Sequence, residues 1–294
     1  MPARRGGTRP RPARQRHRVS GELLLSLAEH LTERDHRILA YLGEHELLTT
    51  PQIRDLAFGS TRQAQRRLAE LAGLGLLSRL RPRVSRGSAP IHWILGPAGV
   101  VVLAADLRAD VRTIGALRRR ALTLAVGQHR RHRVGVNGFF TRLVADDSGQ
   151  LELWWSERHC ARRWGHVIVP DGYGHWRQGG QAIGFWLEYD RGTESLADLV
   201  DKVDAYADLA HVPGPTGQNR PPWLLIRLGS ERRERDLRRL LPIRTIVPVA
   251  TAGEPETPSP ATAIWSPVDR AERMPLIGLL EADRHPAADT GTPP

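Results

Sequence analysis

The sequence predicts an α+β fold in two parts, and three observations predict it. Apolar residues recur at helical spacing from residue 31 to about residue 73, then give way to two short apolar runs flanking a basic loop. Beyond a second helical stretch the pattern changes to strands, at residues 151–156, 165–170, 183–189 and 223–228, with a helix at 195–209 between the last two. The chain has 294 residues, room for about two modest domains.

The elements follow in order. Residues 1–19 hold seven arginines and no acid, too little apolar surface to offset chain entropy, so they read as a disordered basic arm. Thr32 is a good N-cap, followed by Ile38, Leu39 and Leu42 on one helical face. A second helix opens at Thr50-Pro51, turning Ile53, Leu56 and Ala57 inward and stopping before Gly59. A third opens at Ser60, where Ser60 and Gln63 fit a capping box, with Ala64, Leu68 and Leu71 as its buried stripe. Residues 76–80 and 91–95 are strand candidates around the basic loop 81–90, and Pro97 opens a further helix. Three helices and then a hairpin with a basic tip is the order of a winged helix-turn-helix. The stretches LGLLSRL (74–80) and IHWILGPAGVVVL (91–103) resemble the end of many winged-helix repressors.

That resemblance implies DNA binding. In a helix-turn-helix the later helix lies in the major groove. With Ala64 and Leu68 inward, Arg62, Gln63 and Arg66 face out, and Arg and Gln are the side chains that pair with guanine and adenine in bidentate fashion. Arg81, Arg83 and Arg86 in the wing would meet phosphate or the minor groove. The bland alternative is a solvated basic face, or a winged helix used for protein contacts. The net charge of +11 favours a polyanionic partner, double-stranded DNA foremost.

Composition excludes several classes. The longest apolar run, about residues 99–105, is far short of the ~20 residues of a membrane helix. A single cysteine, Cys160, excludes an intrachain disulfide framework and a cysteine-based zinc site. No phosphate-binding or dinucleotide fingerprint occurs. The expectation is a cytoplasmic protein without membrane contact.

The second part begins with an Arg-rich connecting helix, 111–126, and helical spacing continues through 129–143. Asp171 follows an apolar run and is expected at a strand end. Glu188 and Asp190 lie two apart on one strand, so both share a face with Trp186, opposite Leu187 and Tyr189. If the strands are neighbours, Asp171 and Glu188 converge, and paired carboxylates suit Mg²⁺ or Mn²⁺. Lys202 is the only lysine, against 42 arginines. Unlike arginine, lysine shifts its pKa when buried, which makes it a candidate for chemistry. Tyr206 lies one helical turn beyond it.

The arrangement Pro170-Asp171, Glu188-x-Asp190 and Lys202 is similar to the PD-(D/E)xK nuclease core, in which an acid after proline, a second acid and a lysine share one sheet edge. Here Asp190 stands where that pattern has lysine, and Lys202 on the following helix would supply the ammonium from another direction. The resemblance implies a restriction-endonuclease-like domain in which Asp171 and Glu188 hold metal, Lys202 assists the attacking water and Asp190 orients one of these. The wider chain resembles the replication-relaxation family of Gram-positive plasmids and mobile elements, carried by residues 31–35, 74–80, 132–137, 154–157, 169–173, 185–194 (FWLEYDRGTE), Lys202 and Tyr206. It implies a role in plasmid replication and DNA relaxation, possible contact with other replication or transfer proteins, and either metal-dependent nicking or binding without cutting.

The expected organisation is therefore a basic arm (1–19), a winged helix-turn-helix (20–110), a nuclease-like α/β domain with a helical connector (111–249), and a Pro-rich, largely flexible tail (250–294). His129, His132 and Asn137 share a helix that could face the acids, and Glu157 is a possible further ligand. For the helix residues a packing or DNA-backbone reading weighs more, and for Glu157 a surface salt bridge weighs equally.

Overall fold

The computed structural model describes residues 30–82, 89–210, 212, 215, 220–253 and 259–284. The expected basic arm and the wing residues Arg83 and Arg86 lie outside the described residues.

Helix α1 (Glu33–His45) starts at Thr32, whose hydroxyl accepts the Asp35 N–H while the Asp35 carboxylate accepts the Thr32 N–H at 2.8 Å. This is a complete capping box with aspartate in the third position. Strand β1 (Leu48–Thr49) leads into α2 (Thr50–Ala57), which is capped one residue earlier than expected, by Thr49 with Gln52. Helix α3 (Thr61–Gly73) has half of the expected box: Ser60 accepts the Gln63 N–H at 3.3 Å, and the Gln63 side chain stays exposed. Strands β2 (Leu77–Leu80) and β3 (His92–Leu95) pair antiparallel, and β1 joins β3 on the other side, giving the order β1-β3-β2. Helix α4 (Pro97–Asp106) closes a core built on Leu39, Leu68, Leu71, Leu76, Trp93 and Leu103.

Two helices, α5 (Val111–Val126) and α6 (Arg130–Val144), carry the chain to a six-stranded sheet. It consists of β4 (Gln150–Ser156), β5 (Gly172–Gln178), β6 (Gln181–Asp190), β7 (Trp223–Leu228), β8 (Val249–Gly253) and β9 (Ser266–Pro267), side by side in that order. The first three strands are antiparallel, β6, β7 and β8 are parallel, and β9 turns back against β8. Helix α6 covers one face through Phe139 and Phe140 against Phe185. Helix α8 (Leu196–Ala207), after β6, covers the other through Leu199, Val203 and Tyr206 against Trp186 and Ile226. Helix α9 (Glu231–Arg238) packs near the β7–β8 end. The whole is mixed α+β.

Two expectations fail here. Residues 165–170 form no strand. They follow helix α7 (Glu157–Trp164), and Val167 and Ile168 donate their N–H groups back to Trp164 O. The strand is β5, whose sequence GYGHWRQ lacks apolar alternation because rings from other elements take the space. A Cβ on Gly172 would lie 2.7 Å from the Phe140 ring, and one on Gly174 only 2.3 Å from the Phe185 ring. The stretch expected as a flexible tail supplies β8, wholly buried, then β9 and α10 (Leu279–Arg284). Trp265, Leu276 and Leu279 are fully buried in the same core as Phe139, so the prolines there shape turns between anchored apolar groups.

The two halves meet in a shared apolar cluster of Leu47, Ile94, Ala121 and Ala125. Asn137 of α6 donates to the carbonyls of His45 (3.2 Å) and Leu47 (2.7 Å), and Gln52 of α2 donates to the Val134 carbonyl at 2.7 Å. Glu44 accepts from Ser156 Oγ at 2.6 Å and pairs with Arg158 at 2.8 Å. Between these ties the backbone makes a tight three-residue turn: Leu47 N–H donates to His45 O at 2.8 Å around Glu46, which has φ 71° and ψ −53°. That left-handed conformation is strained for a residue with a side chain. Glu46 is buried and its carboxylate lies 2.6 Å from Arg120 and 3.4 Å from Arg133. Among the described residues no helix is long and apolar enough to cross a membrane.

Candidate functional site

At the end of β5 and β6 three side chains expected to act together converge. Asp171 sits just before β5, its N–H bonded to Leu187 O at 3.1 Å. Its Oδ2 accepts the Tyr189 N–H at 2.8 Å and its Oδ1 lies 2.9 Å from His132 Nε2 of α6. Glu188, on the next strand, is 3% exposed. Its Oε1 accepts the Tyr206 hydroxyl at 2.6 Å and its Oε2 the Lys202 ammonium at 3.0 Å, both from α8. Lys202 and Tyr206 are one turn apart and so reach the same carboxylate.

The electrostatics follow from burial. Loss of water, reinforced by the neighbouring Asp171 charge and opposed by Lys202 and Tyr206, pushes the Glu188 carboxyl up to about 7. Burial alone would lower the Lys202 ammonium, but Glu188 and the carboxylate of Glu194, 2.9 Å away, outweigh it and hold it above its ordinary value. Burial and the same Glu188 charge raise the Tyr206 hydroxyl. At His132 the Asp171 bond outweighs burial and raises the imidazole.

Asp190 does not join this group. It shares the Glu188 face, but its Oδ1 accepts the Gly192 N–H at 2.9 Å and its Oδ2 is ion-paired with Arg233 of α9. Asn137 turns to the junction carbonyls rather than to the acids, and Glu157 is ion-paired with Arg133. Tyr206 orients Glu188 directly rather than Lys202. Among the described residues no group of three or more His, Cys, Asp or Glu side chains is gathered as for a metal ion.

Sequence reasoning missed Glu194 and Arg233 as partners; it placed His132 on a helix that could face the acids, while weighing a packing or DNA-backbone role more, and the structure brings it to Asp171. Glu194 had a signal, being the acid just ahead of the Ser195 cap that opens the lysine helix. Asp171 and Glu194 also line a cleft of about 790 Å³, walled by Arg120 of α5, His132 and Arg133 of α6, and Arg191.

The second candidate surface is helix α3. Arg62, Gln63 and Arg66 are exposed, as expected, and Gln65 joins them. Arg66 makes an exposed pair with Glu70 at 3.1 Å. Arg67, by contrast, is structural, tying α3 to buried Asp35 at 2.6 Å. Arg81 is exposed beyond β2, and so is Arg79 within it, which strand alternation would have found.

No curated protein and no solved structure matches this chain. The family model described as replication-relaxation matches residues 39–220, from within α1 to the approach to β7 and including all three converging side chains. With well over half of its length matched, the chain belongs to the replication-relaxation family.

Proposed function

We propose that this protein binds double-stranded DNA in the replication or relaxation of a plasmid or another mobile element, and nicks it at the Asp171–Glu188–Lys202 cluster with Mg²⁺ or Mn²⁺. The family supports the setting. The observation that carries the site is the convergence of two acids from neighbouring strands with the sole lysine, at 3.0 Å from one of them. That is the constellation the PD-(D/E)xK resemblance calls for, with the ammonium arriving from a helix. The three-helix unit with its small antiparallel sheet supports a winged-helix reading, in which Arg62, Gln63 and Arg66 meet the major groove and Arg81 the flank.

The donor chemistry fits a divalent cation. Asp171 and Glu188 offer hard oxygens, each of which makes a single hydrogen bond and retains acceptor capacity. Mg²⁺ commonly needs only one or two carboxylates beside its waters. A cation held there would supply an activated water and charge stabilisation for the leaving oxygen. The chain's own residues do the rest. His132 and the Tyr189 N–H fix the Asp171 carboxylate, Tyr206 fixes that of Glu188, and Lys202 faces the developing phosphate charge. The test is supercoiled plasmid incubated with the protein and Mg²⁺ or Mn²⁺, beside EDTA and Lys202→Ala. Open circles that need metal and vanish in the variant are expected. Equal relaxation by the variant overturns the site, and none by the wild type overturns nicking.

One observation favours a second reading, a non-catalytic accessory factor or regulator with a degenerate site: Asp190 stands where the resembling pattern has lysine and is locked to Arg233. That reading expects a salt-sensitive shift of the plasmid band with no metal requirement.

A further inference from the structure

Lys202 is already held by two carboxylates. Its ammonium lies 3.0 Å from Glu188 Oε2, and 3.0 and 2.9 Å from the two oxygens of Glu194. The two acids differ in their setting. The Glu188 side chain is 4% exposed and that of Glu194 is 42% exposed. Glu194 lines the cleft together with Asp171, whereas Glu188 and Lys202 do not reach its walls. Two other acids of the cleft are matched, Glu46 by Arg120 and Glu157 by Arg133. Asp171 and Glu194 are therefore the acids left to meet an ion that enters.

The ammonium stands in the way of a cation at Glu188. Oε1 accepts the neutral Tyr206 hydroxyl at 2.6 Å, a bond that does not oppose a second positive charge. Oε2 accepts Lys202, and like charges on one oxygen in a site poor in water repel strongly. Yet the cluster is short of positive charge. Three carboxylates, Asp171, Glu188 and Glu194, meet one ammonium and the His132 ring. Burial, and then the Asp171 charge, hold the Glu188 carboxyl above its ordinary value even with Lys202 bound. A divalent cation would supply the missing charge, provided that the ammonium can move. Glu194 gives it a place to go. The Glu194 carbonyl accepts from Arg233 at 2.5 Å and Ser195 beside it caps α8, so the backbone there is fixed. The four-carbon lysine stem with its rotatable donors lets the ammonium pivot.

We propose that Lys202 is an exchangeable counter-ion: when a divalent cation takes the Asp171 and Glu188 oxygens, the ammonium leaves Glu188 and rests on Glu194 alone, at the edge of the cleft. Glu194 is then a positioning residue, and the cluster has two states that differ in the partners of one lysine. This exchange rests on the reading of Asp171 and Glu188 as cation ligands. It adds a regulation of that site, because a phosphate in the cleft meets the ammonium only after the ion is in place.

The sole lysine makes the exchange readable. The full-length chain labelled with ¹³C at the lysine ε carbon is titrated with Mg²⁺ in the absence of DNA, and its one lysine signal is followed by NMR. In the wild type the signal is expected to move saturably to a second position. In Glu194→Gln the ion should instead bring it to the position and narrow width of a free lysine. Affinity is read in parallel with Mn²⁺, from the loss of the free ion's paramagnetic resonance spectrum. Asp171→Asn should abolish binding. Glu194→Gln should weaken it about tenfold, the scale of one hydrogen bond to a charged group. In a Lys202→Met background no ammonium needs a resting place. There the same change should weaken binding less than about threefold, what an exposed charge contributes through water. Binding with an unmoved lysine signal overturns the exchange and leaves the proposed cation site standing. So does an equal loss from Glu194→Gln in both backgrounds, which would make Glu194 a ligand itself. No saturable Mn²⁺ binding by the wild type, or binding indifferent to Asp171→Asn, overturns the cation site and the exchange together. The wild-type signal decides without any variant having to fold.

Discussion

Helix α3 and the end of strand β6 are both rich in charge, and they hold it in opposite ways. On α3, Arg62, Gln63 and Arg66 stand in water, with only Arg66 meeting an exposed partner, Glu70. On β6, Glu188 and Asp190 are 3% and 6% exposed, and each is matched by a cation from a following helix. Charges in water cost the fold nothing and remain available to a partner. Charges out of water require partners inside the fold, so they are part of its stability before they are part of any chemistry. The same sequence thus separates a surface suited to recognition from a centre suited to precise positioning.

Acid should break the comparison most severely, by dissolving the junction that holds the two regions together. Burial pushes the His45 imidazole down to about 3 despite the nearby Glu44 charge, so it is neutral in the folded chain. Unfolded, it takes up a proton as pH falls below its ordinary 6.5, so stability is full above that value and declines from there towards 3. Glu44 would be raised by burial, but Ser156, His45 and Arg158 bring it down to about 2. Its contribution is full above 4.5 and is lost between 4.5 and about 2. Thermal melting from neutral pH downward should therefore show a decline in two stages. Glu44→Gln should remove the second, and a single stage in the wild type would sink this account.

Next in size is Arg233→Ala, which strands the Asp190 carboxylate, 1% exposed, without its cation. Urea denaturation should report a loss of about 3–5 kcal/mol. The same measurement on Arg62→Ala should stay within about 0.5 kcal/mol of the wild type. For Arg62→Ala the effect belongs to DNA instead: weaker duplex binding and about 1–3 kcal/mol less discrimination at one base pair, read by competition between sites. If stability and DNA binding fell together in both variants, the division drawn here would be wrong. The smallest effect should come from Glu70→Ala, which releases Arg66 and also removes the 3.0 Å contact of Arg67, whose bond to Asp35 remains. Stability should fall by less than about 0.5 kcal/mol, because both of its pairs lie at the surface, while duplex affinity rises slightly.

Much of this was legible in the chain. The N-terminal helices announced themselves through Thr32, Ser60 and apolar spacing, and residues 223–228 form the strand that their apolar run suggests. What failed did so for local reasons. Residues 165–170 are apolar because they fold back on Trp164, not because they pair in a sheet. Strand β5 hid because its glycines make room for the rings of Phe140 and Phe185, which only the assembled core reveals. At the site, strand alternation placed Glu188 on the face of Trp186, while Asp171 and Lys202 were grouped with it through the resemblance to the PD-(D/E)xK core, since the strand expected to carry Asp171 does not form. The bonds from His132 to Asp171 and from Arg233 to Asp190 cross 39 and 43 positions, and no local pattern carries them.

The junction has one more consequence. Asn137 grips two carbonyls of the N-terminal unit and Gln52 grips one in return, across a shared apolar cluster. A hinge would leave these groups buried and unbonded, so the joint is a weld. Helix α3 and the carboxylates are thereby held like two marks on a ruler. On the proposed function, a cut would fall at a constant offset from the sequence recognised, and lengthening the connection between α4 and α5 would not move it.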